Sequence, residues 1–478
     1  MNRTSASIIK GLMRFGPGLL PFADAATVEL PMPRLLRLAL FQVTVGMAAV
    51  LLIGTLNRVM IVELNVPSWI VAAMLALPLL FAPFRALVGF RSDNHRSFLG
   101  WRRVPFIWLG TMLQFGGLAI MPFALLILSG DTTGPLWIGY IAAALAFLLV
   151  GAGLHTVQTI GLALATDLAP ATARPKVVAL LCAMLLLGMA VSALLFGALL
   201  AHFSEVRLIQ VIQGSAVVTM ALNCCALWKQ EPRSTALAPK GVVKAHFNDA
   251  WTLFANSGRT RRRLFATALG TAGFSMQDIL LEPYGGKILH LPVGATTALT
   301  AMLALGGGAG LILAARWLTN GADAHRVAAI GAVLGVLAFA AVILAAPMGS
   351  SGLFASGVTM IGAGAGMFAH GTLTASMSLA PVGDRGLALG AWGAAQATAA
   401  GLAIAFSGAI NDGVSWLAQT GALGETLANP ATGYSMVYSI EILLLLAAMI
   451  AIGPLVRSGG TPDVDFLPAT TLNSGGAR

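Results

Sequence analysis

The chain has 478 residues, of which 57% are hydrophobic and only 10% carry a charge. A soluble globular protein of this length could not bury so much apolar surface, so the composition excludes that class. The net charge of +10 does not indicate nucleic-acid binding, because the basic residues collect on one side of the predicted membrane spans. We predict an all-α polytopic membrane protein with twelve transmembrane helices.

The first 33 residues form a basic stretch in which Ile8, Leu12 and Phe15 lie among arginines and a lysine. This pattern is typical of a short amphipathic helix on an anionic membrane surface, and a disordered basic tail is the alternative. No small-residue cleavage site follows a short apolar core, so we predict no signal peptide.

Twelve apolar segments follow, each long enough to cross a bilayer core about 30 Å thick. They cover residues 35–57, 68–90, 105–128, 136–165, 176–201, 207–228, 264–285, 295–317, 326–346, 352–378, 386–410 and 433–456. The longest polar connection joins the sixth and seventh and is rich in Lys and Arg. We predict five parts in chain order: an N-terminal cytoplasmic segment, a six-helix bundle, a basic linker, a second six-helix bundle and a cytoplasmic tail, with bounds 1–33, 34–228, 229–263, 264–457 and 458–478.

The basic residues predict the orientation. If both termini lie in the cytoplasm, every Lys and Arg lies on that side except Arg58, Arg207 and Lys287. Such an excess follows the positive-inside rule, so we predict cytoplasmic termini.

The two halves repeat in sequence. Residues 151–153 match 362–364, and residues 168–170 match 379–381, with the same spacing between the two motifs. Two unrelated helices would rarely keep one offset across two motifs. Parallel six-helix repeats of this kind predict a major-facilitator-type fold with a 6+6 pseudo-repeat.

The connection between the second and third segments supports this fold. Gly89 and Asp93 are followed by Arg96, Arg102 and Arg103. This order resembles the major-facilitator loop signature, a glycine with an aspartate four residues later and basic residues after it. The aspartate can accept bonds from helix N-terminal amides, and the arginines can bind lipid phosphate.

Two carboxylates lie in the outer part of the seventh segment. Asp278 and Glu282 are four residues apart and share one helix face, about 21 and 27 Å from Leu264. The repeat places Arg58 opposite Glu282 or Pro283. We predict that Arg58 pairs with Asp278 or Glu282 as a lock between the halves, with satisfied interfacial carboxylates as the alternative. Glu441 is the deeper acid of the last segment, and a proton site or a polar partner both remain open for it.

The seventh segment ends in a string that resembles the hallmark of the PucC/LhaA family, Gln277-Asp278-Ile279-Leu280-Leu281-Glu282-Pro283-Tyr284-Gly285-Gly286. Residues 56–64 and 84–87 also resemble this family of bacteriochlorophyll-protein assembly factors. The resemblance implies a bacterial inner (intracytoplasmic) membrane protein that assembles light-harvesting complexes. The long N-terminal extension favours the LhaA branch, and with it the LH1 core antenna over the peripheral LH2 antenna. It implies bacteriochlorophyll as ligand and, as partners, the light-harvesting α/β polypeptides, the reaction-centre complex, pigment biosynthesis enzymes, the membrane insertion machinery and membrane lipids.

Neutral imidazole is the usual protein ligand of a chlorophyll-type magnesium. His155 and His370 lie well inside the fourth and tenth segments, at similar depth in the two repeats. We predict pigment ligation by at least one of them, with a hydrogen bond to a neighbouring helix as the alternative. The glycine-rich runs 306–310 and 362–366 predict close helix packing, and a flat slot for a macrocycle is the alternative.

Catalytic patterns are absent from the sequence: it has no nucleotide-binding loop, no serine–histidine–acid set and no metal-binding cluster. Cys182, Cys224 and Cys225 lie in apolar runs without metal spacing, so we predict neutral packing roles for them. We therefore predict a protein that is not an enzyme and has no nucleic-acid partner. The competing hypothesis is a secondary transporter of a pigment intermediate or a small amphipathic solute, although ionisable residues near the midplane are few.

Overall fold

A computed structural model describes residues 30–80, 92, 101–130, 134–170, 173–231, 258–378 and 385–456. All regular structure in these ranges is helical. Several predicted features lie outside them: residues 1–29, the string 84–87, the loop residues Gly89, Asp93 and Arg96, residues 232–257 of the basic linker, and the tail from residue 457.

Twelve helical elements, α1 to α12, account for most of the described residues. Element α1 is an α-helix, Met32–Ala49, continued by two π-helical stretches, Val50–Leu56 and Val59–Glu63. Element α7 is an α-helix, Gly258–Ser275, followed by a 3-10 turn, Met276–Ile279, and a short α-helix, Leu281–Lys287. The others are α2 Ser68–Leu80, α3 Val104–Leu128, α4 Leu136–Leu168, α5 Arg174–Leu199, α6 Glu205–Leu227, α8 Val293–Thr319, α9 Ala324–Ala345, α10 Ser351–Ser378, α11 Arg385–Gln419 and α12 Thr432–Ile452.

Eleven of these elements are long and apolar enough to cross a membrane. Element α2 is shorter within the described residues. The all-α polytopic fold predicted from the sequence is confirmed, because the apolar segments coincide with the helices. Local signals set several boundaries: the side chain of Ser204 accepts a bond from the amide of Arg207 at the start of α6, and Asp323 does the same for Arg326 at the start of α9.

The largest boundary difference is at the end of α11, which continues to Gln419 instead of stopping at residue 410. Asn411 and Asp412 look like loop residues in the sequence. In the structure they remain helical and serve the start of α2: Asp412 Oδ2 accepts a bond from the amide of Trp69 at 2.9 Å, and Asn411 Nδ2 donates to Ser68 Oγ at 3.4 Å. The polar side chains therefore cap a neighbouring helix rather than end their own.

The helices meet both within and between the predicted halves. In the first half α1 packs against α4, α5 and α6, and in the second α7 packs against α10, α11 and α12. The contacts between halves are made by α2 with α11, α5 with α8, and the π-helical part of α1 with α7 and α8. The family string of α7 therefore lies where the two halves touch.

Glycines bring α8 and α10 into backbone contact. A Cβ atom at Gly306 would lie 2.1 Å from the carbonyl oxygen of Thr359, and one at Gly362 would lie 2.1 Å from that of Leu303. No side chain fits between backbones this close. The prediction of close helix packing is confirmed for these two runs, and the space for a macrocycle between them is absent.

Candidate functional site

The candidate site is the break in α7, at the family string. Proline lacks an amide hydrogen, and its ring clashes with the carbonyl of the residue four positions earlier. For Pro283 that residue is Ile279, the last residue of the 3-10 turn. The break places Pro283 in the first turn of Leu281–Lys287, where a missing amide hydrogen is tolerated. The sequence itself therefore divides α7 at this point.

Asn57 of α1 bonds to the carbonyls that the break releases. Its side chain is fully buried, and Nδ2 donates to the carbonyl oxygen of Ile279 at 2.9 Å and to that of Asp278 at 3.2 Å. In an apolar environment each released backbone group needs a partner inside the protein. A side chain of the first half thus satisfies the broken helix of the second half.

Glu441 of α12 bonds to the other side of the break. It is fully buried, and its Oε1 accepts a hydrogen bond from the backbone amide of Gln277 at 2.6 Å. The sequence left open a proton site or a polar partner for Glu441, and the structure shows that a polar partner is present. In an apolar environment the amide of Gln277 would otherwise lack a hydrogen-bond acceptor.

Replacing Asn57 by leucine is expected to destabilise the protein by about 1 kcal/mol, because two buried carbonyls lose their cross-half donor. Thermal unfolding of the detergent-purified protein measures the effect. The exposed Asn320, at the end of α8, serves as the control, since Asn320→Leu removes no contact between halves. Equal melting temperatures for the two variants would contradict the role assigned to Asn57.

Glu282 also faces α1. It is buried, and the hydroxyl of Thr300 in α8 donates to its Oε1. A Cβ atom at Gly54 of α1 would lie 2.6 Å from that oxygen, so only glycine allows this approach. Asp278, by contrast, is only partly buried, and its Oδ1 accepts a bond from the side-chain amide of Gln277. The two carboxylates predicted to act together have different partners.

The predicted pairing of Arg58 with Asp278 or Glu282 stays a prediction. Arg58 is buried, and its ion pair is with Glu63 on the same helix. The reason is the π-helical geometry of α1, in which residues five apart become neighbours. Arg58 still reaches the second half, because Nη2 donates to the carbonyl oxygen of Leu291 at 3.2 Å and the guanidinium lies against Gly286. The idea that these residues lock the halves together remains a prediction.

The rest of the family string contacts the second half. The hydroxyl of Tyr284 donates to the carbonyl oxygen of Val342 at 3.1 Å, and its ring lies 5.4 to 5.6 Å from the rings of Phe354, Tyr434 and Tyr438. Gly285 lies beside Phe354, where a Cβ atom would come within 3.1 Å of the ring. The string therefore forms a packed joint between α7, α9, α10 and α12.

The predicted pigment ligands lie away from this joint. His155 is a partly buried residue of α4, and His370 is a partly buried residue of α10. Magnesium ligation by either remains a prediction. Among the described residues, no group of three or more His, Cys, Asp or Glu could hold a metal ion.

Arg103 of the loop signature donates to Asp167 at 3.1 Å and to Ser92 at 2.6 Å, and Arg102 forms an ion pair with the same aspartate.

Sequence reasoning missed Asn57 and Thr300 as partners of α7. A signal for Asn57 was available, because an amide inside an apolar span requires a hydrogen-bond partner. Its position next to Arg58 also placed it at the repeat equivalent of the family string. Thr300 carried no such signal, because threonine in a helix can satisfy its hydroxyl on its own backbone.

An apolar groove lies beside the joint, between α7, α11 and α12. Its volume is about 670 Å³. Its walls are apolar except for Thr398, and the lining residues are Leu264, Phe265, Ala268, Leu269, Ala272, Met276, Ala391, Ala394, Ala395, Thr398, Ala399, Leu402, Ala403, Phe406, Ile410, Ile440 and Leu444. Phe265 and Phe406 are about 60% exposed at its edges. The groove therefore opens sideways, where a membrane-embedded ligand can enter.

Comparison with protein families matches residues 55–460 to the family described as PUCC protein. Protein PucC of Rhodovulum sulfidophilum is 56% identical over 420 residues, which cover 87% of this chain and 92% of the relative. Protein PucC of Rhodobacter capsulatus is 53% identical over 462 residues, covering 95% and 99%. An uncharacterized protein in the puhA-bchM intergenic region of Rhodobacter capsulatus is 53% identical over 442 residues, covering 92% of each chain.

Solved structures share the fold at low sequence identity. The inward-facing, unoccupied bacterial homolog of the human lysosomal transporter Spinster aligns with a TM-score of 0.66 at 14% identity, covering 88% of this chain and 95% of that one. The D-xylose–proton symporter aligns with a TM-score of 0.63 at 16% identity, covering 87% and 96%. The predicted major-facilitator-type architecture is thereby confirmed.

Proposed function

Because the chain belongs to the PUCC protein family, we propose that it is a non-enzymatic assembly factor for bacterial light-harvesting complexes. It acts in the inner membrane with both termini in the cytoplasm. Its main client is the core antenna around the reaction centre, and assembly of the peripheral antenna is the alternative. The family string supports this role, since its residues pack within the second half and also contact Asn57 of the first half.

The observation that carries the proposed mechanism is the lateral groove of α7, α11 and α12. Ala391, Ala395 and Ala399 recur every four residues and line one face of α11. Small side chains let a flat macrocycle or another helix approach the backbone closely. The groove volume of about 670 Å³ also suits a cofactor-sized ligand. In this mechanism the groove receives bacteriochlorophyll or an antenna helix and releases it to the growing complex.

Filling the groove is expected to reduce antenna assembly. In a strain that lacks the gene, the Ala395→Trp variant should restore about a tenth or less of the core-antenna near-infrared absorbance restored by the unchanged protein, because an indole covers the alanine face of α11 and blocks close approach of a ligand. Absorption spectra of membranes at equal protein level measure this. Leu337→Trp, at an exposed position of α9, is the matched control and should restore assembly fully.

Three results separate the alternatives. Full restoration by Ala395→Trp would exclude the groove as the assembly site. If the deletion strain loses the absorbance of the peripheral antenna rather than that of the core antenna, the protein assembles the peripheral antenna. Protein purified in mild detergent from pigment-making cells should carry bacteriochlorophyll and an α or β polypeptide, and a colourless preparation without either would overturn the proposal.

Reduced pigment content in His155→Leu or His370→Leu would identify the magnesium ligand.

One observation favours a secondary transporter. Transporters of this type bind substrates and ions at broken helices, and the break in α7 has buried carboxyls on both sides. Oε2 of Glu282 and Oε2 of Glu441 have no hydrogen-bond partner among the described residues. A transporter would show uncoupler-sensitive solute flux in membrane vesicles that is lost in Glu441→Gln. A deletion strain with normal solute flux but reduced antenna absorbance would exclude it.

A further inference from the structure

A second cavity of about 670 Å³ lies at the end of the bundle where α3 begins and α6 ends. Three indole side chains line it, those of Trp101, Trp108 and Trp228. The other lining residues are Arg34, Val104, Cys224, Leu227, Lys229, Gln230 and Glu231. Its lining residues come from other parts of the chain than those of the groove of α7, α11 and α12, and the two cavities share no lining residue.

The cavity is a slot between one face of α3 and one face at the end of α6. Val104 and Trp108 are four residues apart on α3, and Cys224 and Trp228 are four residues apart at the end of α6, so each pair lies on one helix face. The indoles are only partly covered, since Trp108 is 40% exposed and Trp228 is 65% exposed. An apolar chain can therefore lie between the two faces.

The floor of the slot is polar and held in place. Arg34 Nη2 donates to the carbonyl oxygen of Gln230 at 2.7 Å, and Arg34 Nε donates to its side-chain oxygen at 3.1 Å. The carboxylate of Glu231 accepts bonds from the amides of Arg102, Arg103 and Val104 at 2.8 to 3.0 Å.

Charge at this floor favours an anion. The Glu231 carboxylate is engaged at the N-terminus of α3, where the helix dipole offsets its charge. The Lys229 side chain is exposed and lines the slot together with the Arg34 guanidinium. A ligand with a negative head group would meet two cations there, and an apolar body would meet the three indoles.

We propose that this slot is a specific site for one anionic phospholipid, with the phosphate at Lys229 and Arg34 and an acyl chain between α3 and α6. Tryptophan and basic side chains at the ends of membrane-spanning helices are suited to the head-group region. Two cations select an anionic over a zwitterionic lipid.

The native cysteines provide the test. Cys224 and Cys225 are both exposed, but only Cys224 lines the slot. Two single-cysteine variants, Cys182→Ala with Cys225→Ala and Cys182→Ala with Cys224→Ala, are placed in nanodiscs of phosphatidylcholine with increasing phosphatidylglycerol. We expect phosphatidylglycerol to slow alkylation of Cys224 by N-ethylmaleimide several-fold and to leave Cys225 unchanged.

Substitution of Lys229 tests the charge requirement. Lys229 has a left-handed backbone with φ 53°, a conformation that asparagine tolerates. Lys229→Asn should therefore keep the fold and raise the phosphatidylglycerol concentration needed for protection about fivefold, the change expected for one cation at the head group. Lys229→Arg should restore protection, and Lys176→Asn, outside the slot, should have no effect.

Equal protection of Cys224 by phosphatidylcholine would overturn the proposal, and so would equal protection of Cys225. If a cysteine variant fails to fold, native mass spectrometry of the unchanged protein decides. A single retained phosphatidylglycerol that is lost in Lys229→Asn supports the site, whereas no preference over phosphatidylcholine overturns it.

Discussion

Replacing Gly310 by alanine is expected to destabilise the protein by about 3 kcal/mol, at the upper end of the range for overpacking. A Cβ atom at Gly310 would lie 2.1 Å from the carbonyl oxygen of Ala363, on α10. The obstructing atom is backbone, so no side-chain rotation relieves the clash, and α8 and α10 would have to separate. Thermal unfolding of the purified protein, followed by size-exclusion chromatography in detergent, measures the loss.

Gly308 provides the matched control on the same helix. A Cβ atom there would be 3.6 Å from its nearest neighbour, the Cδ1 atom of Leu186, an ordinary contact distance. Because alanine favours a helix over glycine by roughly 1 kcal/mol, Gly308→Ala should be neutral or slightly stabilising. If Gly310→Ala and Gly308→Ala melt at the same temperature, the backbone contact of α8 with α10 does not contribute as argued.

Replacing Glu441 by leucine is expected to destabilise the protein by about 2 to 3 kcal/mol, because the buried amide of Gln277 is left without an acceptor. Leucine is close in size, so the loss is of hydrogen bonding rather than of volume. Glu441→Gln keeps a side-chain oxygen at the same position and should stay within about 0.5 kcal/mol of the unchanged protein. Urea or thermal unfolding in detergent compares the variants.

The control for this prediction is Glu425→Leu, which changes an exposed glutamate in the connection between α11 and α12. It should leave stability nearly unchanged, since an exposed surface substitution away from special features rarely exceeds about 0.5 kcal/mol. If Glu441→Leu is as stable as Glu441→Gln, another group satisfies the Gln277 amide, and Glu441 is not its essential partner.

The break in α7 connects α1 and α12, because a side chain from each helix bonds to its backbone. Asn57 bonds to the carbonyl side of the break, and Glu441 bonds to its amide side. Moving the first half away at this point would leave the carbonyl of Ile279 without its donor in an apolar environment, which is unfavourable. At this point the side chain of Asn57 joins the halves by hydrogen bonds to backbone carbonyls, in addition to the helix contacts of α2 with α11 and of α5 with α8.

The sequence by itself determined the class, the order of the apolar helices and the family. Span length and apolar content are local properties, so the helices of the described residues begin and end near the predicted positions. The break at Pro283 is also local, because proline cannot continue a helix over the carbonyl of Ile279. The family string is read directly from Gln277 to Gly286, whatever its contacts.

Only the tertiary structure decided which side chains meet. Arg58 pairs with Glu63 because α1 is π-helical there, and no pattern of residue types announces that change of period. The backbone partner of Glu441 is set only by the position of α12 beside the turn of α7. Side-chain partners across a bundle depend on the rotation and depth of each helix, and these are set by packing such as the glycine contacts of α8 with α10.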